Sequence, residues 1–241
     1  MSLATTVRDV RAVADDASAA LVLLGELLTP HVSGALWWGV ERTLVVSDLH
    51  LEKGSSFAAR GVSLPPYDTR ETLDQLEAVV ALFAPKRVIA LGDSFHDRGL
   101  DGRMAAVDRM RLCVLVGSVD EWVWIAGNHD PRPSPRIGGV AREVYRAGPL
   151  VFRHEPTGAR GDVAGHLHPC ARVVGRGSAL RRRCFVADGA RLVMPAFGAF
   201  TGGLNVCDAA FDAAFPESAP LAYVLGRDHV WPVDGASLRP D

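Results

Sequence analysis

Apolar runs of strand length recur along this chain, and five of them stop at a run carrying histidine, aspartate or asparagine. Residues 43–47, 87–91, 123–126, 150–152, 162–164, 184–187 and 192–194 have the Val, Ile and Leu content of buried strands. Helical spacing appears between them. Leu73, Leu76, Val79, Val80 and Phe83 predict a helix over 70–83, with Asp68 and Glu71 as a capping signal and Pro85 as its stop. A second helix is expected over about 101–116, with Met104, Val107, Met110 and Val114 on one stripe. Strands alternating with helices predict an α/β domain built in layers. In such domains a site gathers at the carboxyl ends of strands, which is where Asp48, Asp93 and Asn128 fall.

The 241 residues, 48% of them hydrophobic, suit one large domain over residues 18–241, preceded by a polar, Ala-rich arm over 1–17 that is either loosely ordered or a short helix. Residues 128–140 carry three prolines and two glycines and predict a long loop. A net charge of −2 argues against a globally basic coat for nucleic acid but leaves room for a local basic groove. Of the 26 basic residues only Lys53 and Lys86 are lysine; arginine suits bidentate phosphate contacts, although a coding bias explains the same composition. Cys113, Cys170, Cys184 and Cys207 are scattered, which suits core thiols in a reducing compartment. The apolar stretch at 19–28 is broken by Gly25 and Glu26, so neither a signal peptide nor a membrane span is expected, and the cytoplasm is the expected location.

The polar runs share one chemistry. Asp48 and His50 are two apart, so an extended backbone would turn both side chains to one side to grip a cation. Gly92-Asp93 offers two carboxylate oxygens with which to bridge two metals, and Asn128 offers a neutral carbonyl oxygen. His166 and His168 would likewise share a side, and His154 follows the apolar run 150–152. Taken singly, most of these have ordinary explanations as turns or packed histidines. Together they supply seven oxygen and imidazole ligands and no thiolate, whereas a structural zinc needs four. Mixed donors of this kind suit manganese, iron or zinc, and two cations about 3.5–4 Å apart are the device that cleaves phosphate esters with an activated water.

In this order the runs resemble the calcineurin-like metallophosphoesterase superfamily, whose pattern is DxH, GD, GNH[D/E], H and GHxH; the match spans about 43–168. The resemblance implies two mixed β-sheets packed face to face with flanking helices. It implies that Asp48, His50, Asp93 and His168 hold one metal and that Asp93 bridges to a second held by Asn128, His154 and His166. His129 would face the phosphate as general acid or charge stabiliser. A narrower resemblance, carried by Ser47 to Gly54, Leu64 to Thr69, Leu91 to Asp97 and Pro195 to Leu204, is to the bacterial ligase-associated DNA damage response endonucleases. It implies a manganese-dependent DNA phosphodiesterase working in repair beside a DNA ligase and a helicase, with DNA, expected to be single-stranded, as substrate.

One position departs from the protein-phosphatase branch, which has an aspartate three residues after the bridging one. Here that residue is His96, as in the double-strand-break repair nucleases, so His96 would contact the scissile phosphate or else pack against its loop. What orients His129 stays open. Arg172, Arg176 and Arg181 to Arg183 either track a nucleic-acid backbone or line a solvated strand edge. Two other functions are kept: a phosphomonoesterase acting on nucleotides or phosphoproteins, and a non-catalytic scaffold, against which the complete ligand set argues.

Overall fold

The structure is a computed structural model that describes residues 20–59, 61, 67–96, 103–130, 136–175 and 178–241. The expected N-terminal arm lies outside the described residues. Two mixed sheets form the body. The first has seven strands in the order β1 to β7: β1 (Leu21–Leu23), β2 (Glu26–Pro30), β3 (Leu36–Trp38), β4 (Thr43–Val46), β5 (Arg87–Leu91), β6 (Glu121–Ile125) and β7 (Val140–Arg142). Its first four strands run antiparallel, and β4, β5, β6 and β7 are parallel. The second sheet contains β8 (Tyr145–Ala147), β9 (Leu150–Arg153), β10 (Asp162–Ala164), β11 (Cys170–Gly175), β12 (Ser178–Ala187), β13 (Leu192–Val193), β14 (Leu221–Leu225) and β15 (Val230–Val233). Here β9, β10 and β13 are parallel neighbours and the other pairings are antiparallel.

Period-two alternation sorts the strand residues into layers. Val45, Ile89, Leu91, Val123 and Ile125 of the first sheet meet Phe152, Val163, Phe185, Leu192 and Leu225 of the second in a core between the sheets. The opposite face of the first sheet, through Leu44, Val46, Val88, Ala90, Trp122 and Trp124, packs on the helices α2 (Asp68–Phe83) and α3 (Ala106–Gly117). The outer face of the second sheet covers Phe211, Ala214 and Phe215 around α4 (Ala210–Ala214). Strands β4, β5 and β6 are thus buried on both faces, which is why they read as unbroken apolar runs.

Two helical expectations need correction. Asp68 is the first residue of α2, not its cap: Oδ2 accepts from the Gly54 amide at 2.9 Å and so closes the start of a different helix, α1 (Lys53–Ala59). Within α3 the predicted stripe is divided. Met104 is buried, but Val107, Met110 and Val114 face outward at 56%, 65% and 68% exposure, while Leu112, Leu115 and Val116 pack inward. The start expected at 101–102 lies outside the described residues. All four cysteines are free thiols, and no helix among the described residues is long and apolar enough to cross a membrane.

Candidate metal centre

The loops that leave β4, β5, β6, β9 and β10 supply the expected ligands, and each loop is tied to its neighbours. After β4, the His50 amide donates to Asp93 O and the Leu51 amide to Ser94 O, both at 2.9 Å, so the first two motifs run side by side. After β6, the His129 amide donates to Asp93 Oδ1 at 2.9 Å. After β10, the Gly165 amide donates to His154 O, and the His166 amide reaches Asp48 Oδ2 at 3.1 Å. Glycine is required where these loops cross: a Cβ on Gly165 would overlap Ser47 Oγ and Asp48 Oδ2, and one on Gly127 would overlap the Asp93 backbone and carboxylate.

The backbone reaches this arrangement differently from the extended geometry expected of Asp-x-His and His-x-His. Asp48, His50, Asp93, His166 and His168 all have left-handed φ, between 43° and 68°. Few non-glycine residues adopt that region, and it costs about 1–3 kcal/mol each where it occurs at functional sites. Alternate residues therefore do not simply share a side. His168 turns to Asp48 and His50, whereas His166 turns to His154.

Two groups result. In the first, Asp48 Oδ1, His168 Nε2 and His50 Nε2 converge, with His168 Nε2 at 3.1 Å from the carboxylate and 3.4 Å from the other imidazole. In the second, His154 Nε2 lies 3.4 Å from Asp93 Oδ2 and 3.2 Å from His166 Nδ1, with Asp48 close by. Backbone carbonyls fix the tautomers: His154 Nδ1 donates to Leu91 O at 2.9 Å and His168 Nδ1 to Gly202 O at 3.1 Å. The Nε2 atom of each neutral ring is then an acceptor pointing at other acceptors. Asp48 Oδ1, at the centre of the first group, is buried with no hydrogen bond. Carboxylate oxygens and imidazole nitrogens brought this close together fit cations, and the set is that of a hard-to-intermediate divalent metal.

Protonation follows the same field. Burial alone would raise the Asp48 carboxyl, but contact with His168 and the positive potential of His168 and His154 hold it below its usual range. The same balance, with His154 as the main partner, lowers Asp93. Burial and its neighbours bring His50 down to about 4, so that ring is neutral. His154 would fall on burial, yet Asp93 and Asp48 push it up to about 9; His168, too, is raised against burial, chiefly by Asp48. At His154 a proton takes the role a cation would fill.

His129 stands beside both groups. Its Nε2 lies 3.9 Å from Asp93 Oδ2, and its Nδ1 donates to the His96 carbonyl at 3.0 Å. That carbonyl orients the ring, which answers the question left by the missing second aspartate. The His96 ring stacks on His129 with centroids 5.2 Å apart and meets Phe57 of α1 on another side. Asn128 is exposed on the same turn, and its neighbour His129 makes the turn's contacts to Asp93. Asp130, not expected as a site residue, is buried and accepts from the Ser94 and Phe95 amides; burial and the nearby Asp93 push it up to about 7. Its place in the GNHD run was the available signal.

The arginines after the last motif are engaged elsewhere. Arg172 donates to Pro240 O and Arg181 to Asp241 and Gly203 O, securing the C-terminal residues. Arg183 is half-buried, donating to Ala196 O and Phe197 O, and Arg182 remains exposed. Arg176 lies outside the described residues.

Two mixed sheets with acid and imidazole ligands at their strand ends define a metal-dependent hydrolase class. Residues 41–189 match the sequence profile of the calcineurin-like phosphoesterases, and the chain belongs to that family. It is a metal-dependent phosphoesterase. A similar solved structure is the nuclease MPE of Pseudomonas putida, 30% identical, covering 89% of this chain and 98% of that one with a TM-score of 0.68. No match was found among curated proteins.

Proposed function

We propose that the protein is a two-metal phosphodiesterase that cleaves DNA, as an endonuclease of DNA repair. The observation that carries this reading is the pair of carboxylate–imidazole groups sharing Asp48, with His129 Nε2 3.9 Å from Asp93 Oδ2. Support for a nucleic-acid substrate comes from the 30% identity to a nuclease over most of both chains. Asp48, His50, Asp93 and His168 would hold one cation, and Asp93, Asn128, His154 and His166 the other, with manganese the proposed metal and iron or zinc as fitting alternatives. When bound, the cations lower the pKa of a water molecule and offset charge on the phosphoryl group.

The chain's own residues do the rest. His129, held by the His96 carbonyl through Nδ1, presents Nε2 to the phosphate or the leaving oxygen, where the imidazolium form, with both nitrogens protonated, would donate a proton or a hydrogen bond. His96 lines the same wall and limits how the phosphate can sit. The carbonyls of Leu91 and Gly202 keep the ligand nitrogens of His154 and His168 in the metal-binding tautomer. Single-stranded DNA is the proposed substrate, and a DNA ligase and a helicase are the proposed partners, on the strength of the motif resemblance alone.

The test compares turnover of circular single-stranded DNA, a small phosphodiester and a small phosphomonoester with manganese present. Cleavage of the circle and preference for the diester are expected. A clear preference for the monoester would replace this reading with a phosphomonoesterase.

A further inference from the structure

Segment 197–204, which follows β13, is fastened to the metal-ligand loops along its length. The Phe197 amide donates to Ser47 O at 2.7 Å and the Gly198 amide to Asp48 O at 3.2 Å. The Ala199 amide donates to Thr72 Oγ1 at 3.1 Å, and Gly202 O receives His168 Nδ1 at 3.1 Å. Between these anchors, Lys53 Nζ donates to Phe200 O at 2.8 Å. Phe197 turns inward and is buried, but the Phe200 ring stands 42% exposed. A single exposed apolar residue needs no explanation. This one differs because its backbone is clamped two residues from the carbonyl that sets His168, and its own carbonyl holds one of the chain's two lysines.

An exposed aromatic ring and an ammonium bonded to that residue's carbonyl, on a segment tied to the metal-ligand loops, make the combination that grips single-stranded nucleic acid: the ring stacks on a base while the cation meets the backbone. Lys53 has three donors and uses one on Phe200 O, which leaves donors for a phosphate. We infer that Phe200 stacks on a nucleobase of a single-stranded substrate and Lys53 meets an adjoining phosphate. The next phosphate along is thereby presented to Asp48, Asp93 and the histidines. Phe200 is then a substrate-positioning residue that reads the π-face common to all bases, and it confers preference for unpaired strands without sequence preference. This inference rests on the nuclease reading above.

The test uses the full chain with manganese and three forms: wild type, Phe200→Ala and Phe200→Trp. For each, kcat/KM is measured on a single-stranded oligonucleotide and on a small chromogenic methyl phosphodiester that carries no base. The fluorescence of 2-aminopurine placed in the oligonucleotide reports stacking. The ratio of the two kcat/KM values is expected to fall about tenfold in Phe200→Ala, the loss of one base stack, mainly through KM. Phe200→Trp should restore the ratio, and quenching of 2-aminopurine should be lost in the alanine variant alone. An unchanged ratio in Phe200→Ala overturns the inference. So does an equal fall on both substrates, which would mean that the ring merely supports His168 through its loop. A wild-type enzyme that hydrolyses the small diester but no polynucleotide defeats the nuclease reading itself, and this inference with it.

Discussion

His129 is held from two directions. Its amide donates to Asp93 Oδ1, its Nδ1 donates to the His96 carbonyl, and its ring meets the edge of His50 and the face of His96. Neither hydrogen bond uses Nε2, which is therefore free to act on a phosphate. His129→Ala is expected to leave the metal content unchanged and to lower kcat by about 10²- to 10⁴-fold, the usual worth of a positioned proton donor. Metal analysis alongside steady-state rates checks both halves, and wild-type turnover in the variant would remove His129 from the mechanism. His96 is predicted to matter through its backbone as well as its ring, so His96→Ala should retain the orientation of His129 while losing the stacked wall.

At the scale of elements, α1 depends on a residue from another helix. Asp68→Ala removes the acceptor of the Gly54 amide and should destabilise the protein by about 1 kcal/mol, measurable in urea unfolding. Since α1 carries Phe57 against His96, the loss should also appear as weaker turnover. A second prediction concerns the turn after β2, where His31 lies edge-on to Phe83 and pairs with Ser33 Oγ. Burial lowers its pKa below the ordinary 6.5, so the folded state binds fewer protons than the unfolded one. Its contribution is fully present above pH 6.5 and is lost as pH falls through the folded-state value. Thermal unfolding of the wild type should therefore worsen between pH 7 and 5 more than that of His31→Gln, and identical pH profiles would contradict it.

The strands most legible in the sequence are those buried on two faces. Strands β4, β5 and β6 announce themselves because apolar residues fill nearly every position, and helix α2 because Leu73, Leu76, Val79, Val80 and Phe83 mark its one buried face. Strand β7 is exposed at all three residues and carries no such pattern, and β1 and β2 place Val22 and Leu27 outward, which blurs the alternation. In α3 an apolar stripe was visible but its direction was not, because Leu112 and Leu115 compete with Val107, Met110 and Val114 for the inner face. The ligand residues were readable from their types and order. Their geometry was not, since it depends on left-handed backbone at Asp48, His50, Asp93, His166 and His168, and no side-chain pattern signals that.

The whole molecule converts long sequence separations into short distances. His50 and His168 are 118 residues apart in the chain, yet their Nε2 atoms lie 3.4 Å apart in space, because the parallel strands of both sheets end in loops that face one another. The core between the sheets holds this register, so metal binding and folding should be coupled. Divalent metal is expected to raise the melting temperature of the wild type. Asp93→Ala, which removes the proposed bridging carboxylate, should lose both cations and that stabilisation. The arginines near the C terminus act in the same global sense, since Arg172 and Arg181 fasten the last residues to the second sheet.

Two cations held close together by these residues would be magnetically coupled. Electron paramagnetic resonance of the protein titrated with manganese reads that coupling. The second equivalent is expected to convert the signal of isolated Mn²⁺ into that of a spin-coupled pair, and Asp93→Ala to abolish the coupled signal. Saturation at one equivalent, or two equivalents that never couple, would contradict a two-metal centre.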